Sequence, residues 1–308
     1  MKGKVTLLLL AALLLSFASC RNKHKKPDNV RVPGISEITV DGQEGDKTTN
    51  ELYDSKVDAF EDVRDKTMEL PAMLRKGEEL LLRREGYFTS YNQKKKIPNW
   101  VAWHLTEGHT SGRYYRDGQV FMEDSQVPRP RATDNDYYTS RYDRGHMCPS
   151  GDNKWSAKAQ EQSFLFTNVC PQNHDLNKGD WNDLEMQCRY WAKKFGGLYI
   201  VTGPVFYDKD YETIGKNKVA VPDAFFKVLL SKGMKTKAIG FVCPNRGGHK
   251  DMTDYVRSVD EIELLTGLDF FPLLDDKVEN RVEAADRKTM ISQWQVEKAV
   301  SYYNSRTK

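Results

Sequence analysis

Ser140-Arg141-Tyr142-Asp143-Arg144-Gly145-His146-Met147-Cys148-Pro149 is the stretch on which the reading of this chain turns. It sets an imidazole, which titrates near neutral pH, two residues from a guanidinium that stays charged. A second cluster follows: Asn168-Val169-Cys170-Pro171-Gln172, then Leu176-Asn177-Lys178-Gly179-Asp180-Trp181, then Leu184-Glu185. Asn177 offers a neutral carbonyl oxygen and Glu185 a carboxylate, both hard donors suited to a hard divalent cation. The two clusters together supply a base, a cationic clamp for an anion and oxygen ligands.

Taken singly, each residue has a plainer reading. A histidine is usually a hydrogen-bonded structural group, and His24, His104, His109, His174 and His249 read that way. Asp143 and Arg144 can form a salt bridge, Asn177 can start a helix, and Glu185 can be a solvated helix residue. Taken together they are the parts that phosphodiester hydrolysis needs: His146 to deprotonate water, Arg144 to neutralise phosphate oxygens, and a cation to help the leaving oxygen.

Spacing adds a constraint. Trp181, Leu184, Cys188, Trp191, Ala192 and Phe195 recur at helical intervals, Gly196-Gly197 stops the pattern, and Asp175 is the expected N-cap. On one continuous helix, Asn177 and Glu185 stand about 12 Å apart along the axis. Both cannot then ligate one ion directly. A Mg²⁺ that keeps most of its water resolves this, with one ligand direct and the other acting through water; Mn²⁺ accepts the same oxygens.

Around this centre the chain of 308 residues reads as one domain behind a leader. Lys2 and Lys4 precede an apolar run, Val5 to Ala18, which is short for a bilayer span. Phe17-Ala18-Ser19-Cys20 resembles the lipobox of bacterial lipoproteins, with phenylalanine where leucine is usual. Residues 1–20 are therefore expected to be a signal peptide, with a lipid anchor at Cys20. That predicts an exported protein tied to a bacterial membrane, facing the periplasm or the cell surface. A plain secretory signal is the alternative.

Residues 21–68 are polar and read as a tether, with a short charged helix over Glu51 to Met68. Residues 69–308 carry sustained apolar density and form the expected domain. Strands are expected at Gly86–Tyr91 and Trp100–Thr106, joined through Lys96-Ile97-Pro98-Asn99, and at Leu198–Thr202, Ala224–Leu230 and Lys237–Val242. Helices are expected at Ser258–Leu265 and Glu283–Tyr303. The order of elements predicts an α+β fold.

Composition excludes several classes. The formal charge of +3 falls to +1 without residues 1–20, so this is not a generally basic nucleic-acid coat. Attraction to phosphate must come from local groups such as Arg113, Arg116, Arg129, Arg131, Arg141 and Arg144. Lys94-Lys95-Lys96 reads as a solvated loop. Nucleophile-elbow, P-loop and dinucleotide fingerprints are all missing from the sequence. After Cys20 there remain Cys148, Cys170, Cys188 and Cys243, which are either one or two disulfides or buried thiols.

The ordered set Asp143-Arg144-Gly145-His146, Asn168, Pro171-Gln172, Leu176-Asn177, Trp181 and Leu184-Glu185 resembles the DNA/RNA non-specific endonucleases of the ββα-metal (His-Me finger) superfamily. The likeness runs from about Leu70 to the C-terminal helix. It takes in Gly86-Tyr87, Trp100-Val101-Ala102 and Thr266-Gly267-Leu268-Asp269-Phe270-Phe271. It implies a central, mostly antiparallel sheet with flanking helices. It further implies hydrolysis of DNA and RNA with little sequence preference and 5′-phosphate products.

By the same resemblance His146 is the general base, Asn177 the direct Mg²⁺ ligand, and Glu185 acts on the ion's waters. Arg144 contacts the phosphate and Asn168 supports the site. An upstream arginine on the scissile phosphate is implied as well; Arg113 and Arg116 both qualify, with Arg116 favoured.

Two other classes compete. One is a lipid-anchored nucleic-acid-binding protein of this fold without turnover. The other is a structural zinc or redox module built from His146, Cys148, Cys170 and His174. The second leaves Arg144, Asn177 and Glu185 without a task.

Overall fold

The computed structural model describes residues 66–73 and 79–296. The signal peptide, the lipid anchor at Cys20 and nearly all of the tether, with its Glu51–Met68 helix, lie outside the described residues. So does the end of the C-terminal helix beyond residue 296.

Alternating and continuous apolar runs become the strands of a seven-stranded antiparallel sheet. In chain order the strands are β1 (Ala72–Met73), β2 (Leu80–Arg83), β3 (Phe88–Asn92), β4 (Ile97–Leu105), β5 (Asp143–His146), β6 (Val169–Gln172), β7 (Leu198–Val205), β8 (Thr213–Ile214), β9 (Val219–Ala220), β10 (Ala224–Ser231), β11 (Lys237–Pro244), β12 (Val256–Arg257) and β13 (Leu268–Asp269). The main sheet runs β12-β11-β10-β7-β4-β3-β2; β1 pairs with β13, β5 with β6, and β8 with β9.

Strand β10 shows why the sheet lies in the middle. All eight of its residues are buried. Phe225 and Leu229 point into one apolar cluster, while Ala224, Phe226, Val228 and Leu230 point into the other. A strand covered on both faces reads as a nearly unbroken apolar run, and here Lys227 alone interrupts it before Ser231 closes it.

The helices are α1 (Glu107–Thr110), α2 (Asp134–Tyr138), α3 (Ala157–Ser163), α4 (His174–Lys178), α5 (Asp180–Phe195), α6 (Val259–Thr266), α7 (Asp276–Glu283) and α8 (Arg287–Trp294). Helix α5 buries Trp181, Leu184, Cys188, Trp191 and Ala192, and it stops at Gly196 in the left-handed region (φ +79°). These side chains pack in the same cluster as Phe225 and Leu229. Helices α6 and α7 cover the opposite face through Val259, Ile262 and Val282.

Four expectations are corrected. The helix around Asn177 is not continuous. Asn173, not Asp175, caps α4, its side-chain oxygen accepting from the Asp175 and Leu176 N–H groups. The chain then breaks at Gly179 (φ −98°, ψ −111°) before α5 begins, and a Cβ there would meet the Asp175 carbonyl oxygen at 2.7 Å. The single-helix separation of Asn177 and Glu185 therefore does not apply.

The β3–β4 reversal comes earlier than expected, at residues 93–96. The Asn92 side chain there accepts from the Lys94 and Lys95 N–H groups, and Lys96 takes φ 59°. Lys95 is not simply solvated, since its ammonium lies 3.9 Å from the Phe206 ring centre. The helix expected from Glu283 begins later, as α8, capped by Asp286 and ended by Gln295 in the left-handed region, and a separate helix, α7, stands before it. Of the two readings offered for the cysteines, buried thiols are what the structure shows: Cys148, Cys170, Cys188 and Cys243 are free.

Candidate active site

The Asp143–His146 segment forms β5, which pairs with β6 in the register Asp143–Gln172, Arg144–Pro171, Gly145–Cys170 and His146–Val169. The glycine has a steric reason, because a Cβ at Gly145 would sit 2.3 Å from Gln172 Oε1 and 2.5 Å from its Cβ. Alternation along the strand turns Arg144 and His146 to the same side. Together with α4 and α5 the hairpin walls a cavity of 730 Å³ whose lining includes Arg116, Arg144, His146, Asn177, Glu185 and Arg189.

His146 is held by aromatic walls. Phe164 meets its ring edge-on at 4.8 Å and Phe121 lies at 5.1 Å. Its Nε2 is buried with no hydrogen-bond partner among the described residues. Burial first, and then the Arg116 guanidinium, push its pKa down to about 3. The imidazole is therefore neutral at physiological pH and able to accept a proton.

Arg144 donates from Nε to Asp134 Oδ1 (2.6 Å), and its guanidinium lies over Phe121 and Tyr137, 5.8 Å from each ring centre. Phe121 thus touches both the His146 imidazole and the Arg144 guanidinium. Arg116 is exposed and lines the cavity, whereas Arg113 lies outside the lining with its guanidinium 3.5 Å from the Tyr114 hydroxyl. Of the other arginines, Arg129 and Arg131 share Glu123, and Arg141 pairs with Glu212.

The oxygen donors are set by what holds them. Asn177 Nδ2 donates to Asp143 Oδ2 (2.9 Å), an oxygen that also lies 3.0 Å from His174 Nδ1. With its nitrogen committed, Asn177 keeps its carbonyl oxygen for another ligand. Burial lifts the Glu185 carboxyl to about 7 against the opposing pull of Lys227, Arg189 and Arg116, while Asp152 adds to the rise. An amide oxygen and an under-neutralised carboxylate fit a hard cation that retains much of its water.

The sulfur-and-imidazole alternative is not assembled. Among the described residues, no three of His146, Cys148, Cys170 and His174 bring ligand atoms within 4.8 Å of one another. The Cys148 and Cys170 thiols are pushed well above their usual range by burial.

Asn168 stands behind the cavity rather than in it. Its Nδ2 donates to the Cys148 and Ser163 carbonyls (2.8 Å each), and its Oδ1 accepts from the Cys148 N–H (2.9 Å). It pins the chain just after His146 to the end of α3.

Three groups escaped the sequence reading. Arg189, one turn after Glu185, binds Asp152 Oδ1 (2.9 Å), and the other Asp152 oxygen takes the Trp103 indole N–H. The helical i, i+4 spacing from Glu185 was the available signal. Lys227 is buried on β10 with its ammonium 4.4 Å from the Trp181 ring centre and 5.3 Å from that of Trp103. Its signal was a lone cation in an apolar strand.

A model of the DNA/RNA non-specific endonuclease family matches residues 65–277. The mitochondrial nuclease EXOG of Homo sapiens is 36% identical over 203 residues, which is 60% of this chain and 55% of that protein. Nuclease C1 of Cunninghamella echinulata var. echinulata is 36% identical over 211 residues, covering 63% of this chain and 83% of its own. A chain in the crystal structure of the EndoG/EndoGI complex superposes with a TM-score of 0.62 at 29% identity, covering 65% of this chain and 89% of that one. This chain thus spans little more than half the length of the EXOG relatives it matches.

Proposed function

The chain belongs to the DNA/RNA non-specific endonuclease family, and from that premise we propose that it hydrolyses phosphodiester bonds of DNA and RNA with a divalent cation, Mg²⁺ or Mn²⁺. The observation that carries this reading is the convergence of a neutral His146, the Arg144 and Arg116 guanidiniums, the Asn177 amide and the buried Glu185 carboxyl on one cavity.

In this reading His146 takes the proton from the attacking water. Arg144 and Arg116 receive the phosphate oxygens, whose charge grows in the transition state. Asn177 would hold the cation and Glu185 would lie beside it; when bound, the cation would supply charge neutralisation and acidity for the leaving 3′-oxygen. Loss of that oxygen leaves a 5′-phosphate. Phe121 keeps base and clamp in a fixed relation.

None of these groups is committed to a base edge, which favours weak sequence preference. Tyr115, 58% exposed at the rim with the Lys154 ammonium 5.5 Å from its ring centre, offers a face on which any base can stack. The Lys2–Cys20 pattern supports export and a lipid anchor, which would keep an unselective nuclease away from its own genome.

The test is cleavage of plasmid DNA and of RNA by the chain lacking residues 1–20, with and without Mg²⁺. His146→Ala should cut turnover by about 10²–10⁴. Cutting at the wild-type rate by that variant would remove the base assignment. Metal-independent cutting would remove the cation.

A further inference from the structure

We infer that Asp260, Glu263 and Glu283 form a second divalent-cation site, suited to Ca²⁺, on the face of the sheet opposite the catalytic cavity. Asp260 and Glu263 stand three residues apart on α6 and so share a helix face, and Glu283 is the last residue of α7. Their carboxylate oxygens all lie within 4.8 Å of one another. Oxygens that close can all reach one ion, and Ca²⁺ accepts mono- or bidentate carboxylates in flexible geometry where Mg²⁺ demands a near-ideal octahedron.

The cluster is more than exposed acid on a surface. Glu283 is only 7% exposed, and its Oε1 is buried with no hydrogen-bond partner among the described residues. A buried acceptor in that state is costly unless something fills its lone pairs. Glu263 Oε1 accepts the Phe270 N–H at 2.8 Å, which fixes that carboxylate and leaves its other oxygen for a ligand. Among the described residues, no lysine or arginine pairs with Asp260, Glu263 or Glu283. Asp269 and Glu279 instead add negative potential.

Without a cation the cluster must take up protons. Burial, reinforced by the surrounding acids, lifts Glu263 to about 7 and Glu283 to about 9. One shared proton relieves a single pair of carboxylates, and three converge here. One hard cation neutralises all of them at once and ties α6 to α7 over the apolar layer of Val259, Ile262 and Val282.

The experiment is a Ca²⁺ titration of the chelator-treated full chain, followed by calorimetry and thermal unfolding. One Ca²⁺ per chain with a saturable rise in Tm is expected. Glu283→Gln and Asp260→Asn should each weaken Ca²⁺ binding about tenfold or more, while cleavage in Mg²⁺ persists. Asn177→Ala should keep the Ca²⁺ response, because the ion sits away from the cavity. If Glu283→Gln does not fold, Asp260→Asn in the first turn of α6 carries the comparison. The site is overturned if the wild type shows no response, if both substitutions leave it unchanged, or if Asn177→Ala abolishes it.

Discussion

Glu185 on α5 and Glu263 on α6 are both lifted to about 7, and in both the first cause is burial. What surrounds them differs. Lys227, Arg189 and Arg116 pull Glu185 down and only Asp152 pushes it up. Around Glu263 a single backbone N–H opposes the rise, while Asp269, Asp260 and Glu279 all add to it. The cavity side is thus a mixed field, in which, on the function proposed above, the carboxylate serves a cation and the guanidiniums an anion. At Glu263 and Glu283 the charged neighbours that count most are all carboxylates, which raise one another. Equal shifts in pKa therefore mark two different kinds of site, and the sign of the neighbours tells them apart.

The most direct way to break this comparison is to neutralise each carboxylate in turn. Glu185→Gln should lower the initial rate on plasmid in saturating Mg²⁺ by about 10²–10³, whereas Glu263→Gln should leave it within about twofold, as for a residue far from the reacting groups. Similar losses in the two variants would show that the field around a carboxylate does not report its use.

A smaller effect is expected one shell out. Asp143→Ala removes the acceptor that holds the Asn177 amide nitrogen, so Mg²⁺ titration of activity should shift to about 10–100-fold higher concentration with maximal rate less affected. An unchanged titration would mean that Asn177 is oriented by something other than Asp143.

Lys227 sharpens the contrast further, because it is the buried cation that the acidic cluster lacks. Lys227→Met removes a group that stabilises the Glu185 carboxylate, so Glu185 should hold its proton to higher pH. The acid limb of the kcat/KM profile at low Mg²⁺ should move upward by roughly one pH unit. His146 cannot account for such a limb, since it is already neutral far below that range. A profile that does not move would separate Lys227 from the chemistry and leave it as a packing residue between Trp103 and Trp181.

What could be read in advance follows from range. Strands β7, β10 and β11 and helix α5 were legible because their periodicity is local and long. Strand β5 was not recognised as a strand: it is four residues, three of them charged or titratable, and its pairing partner lies a helix away in β6. Helix α7 was missed because its sequence, DKVENRVE, is mostly charged.

The cavity residues His146, Arg144, Asn177 and Glu185 were identified as types in an order. Arg116 was favoured over Arg113 in the sequence, and of the two only Arg116 lines the cavity. The break at Gly179 was hidden because helical spacing resumes beyond it. No local pattern announces that Glu283 meets Asp260 and Glu263, since that meeting depends on how two helices cross the sheet.

The smallest expected effect is on stability, and its direction separates the two sites. Glu263 and Glu283 have folded pKa values above the unfolded value of 4.5, so without a cation their contribution is full below that pH. It is lost as pH rises through about 7 and then about 9. His146 works in the opposite window. Its folded value is depressed to about 3 from 6.5, so its contribution is present above pH 6.5 and lost as pH falls through about 3. Thermal unfolding of chelated protein should therefore show Tm falling between pH 5 and pH 9. Glu283→Gln should flatten that slope from about pH 4.5 to 9, including the part above 7, whereas Glu185→Gln should flatten only the part between about 4.5 and 7. Saturating Ca²⁺ should remove the Glu283-dependent part, because a cation replaces the protons. A slope that Glu283→Gln leaves unaltered would mean that the α6–α7 carboxylates do not share a buried field, and the contrast with Glu185 would then lose its second member.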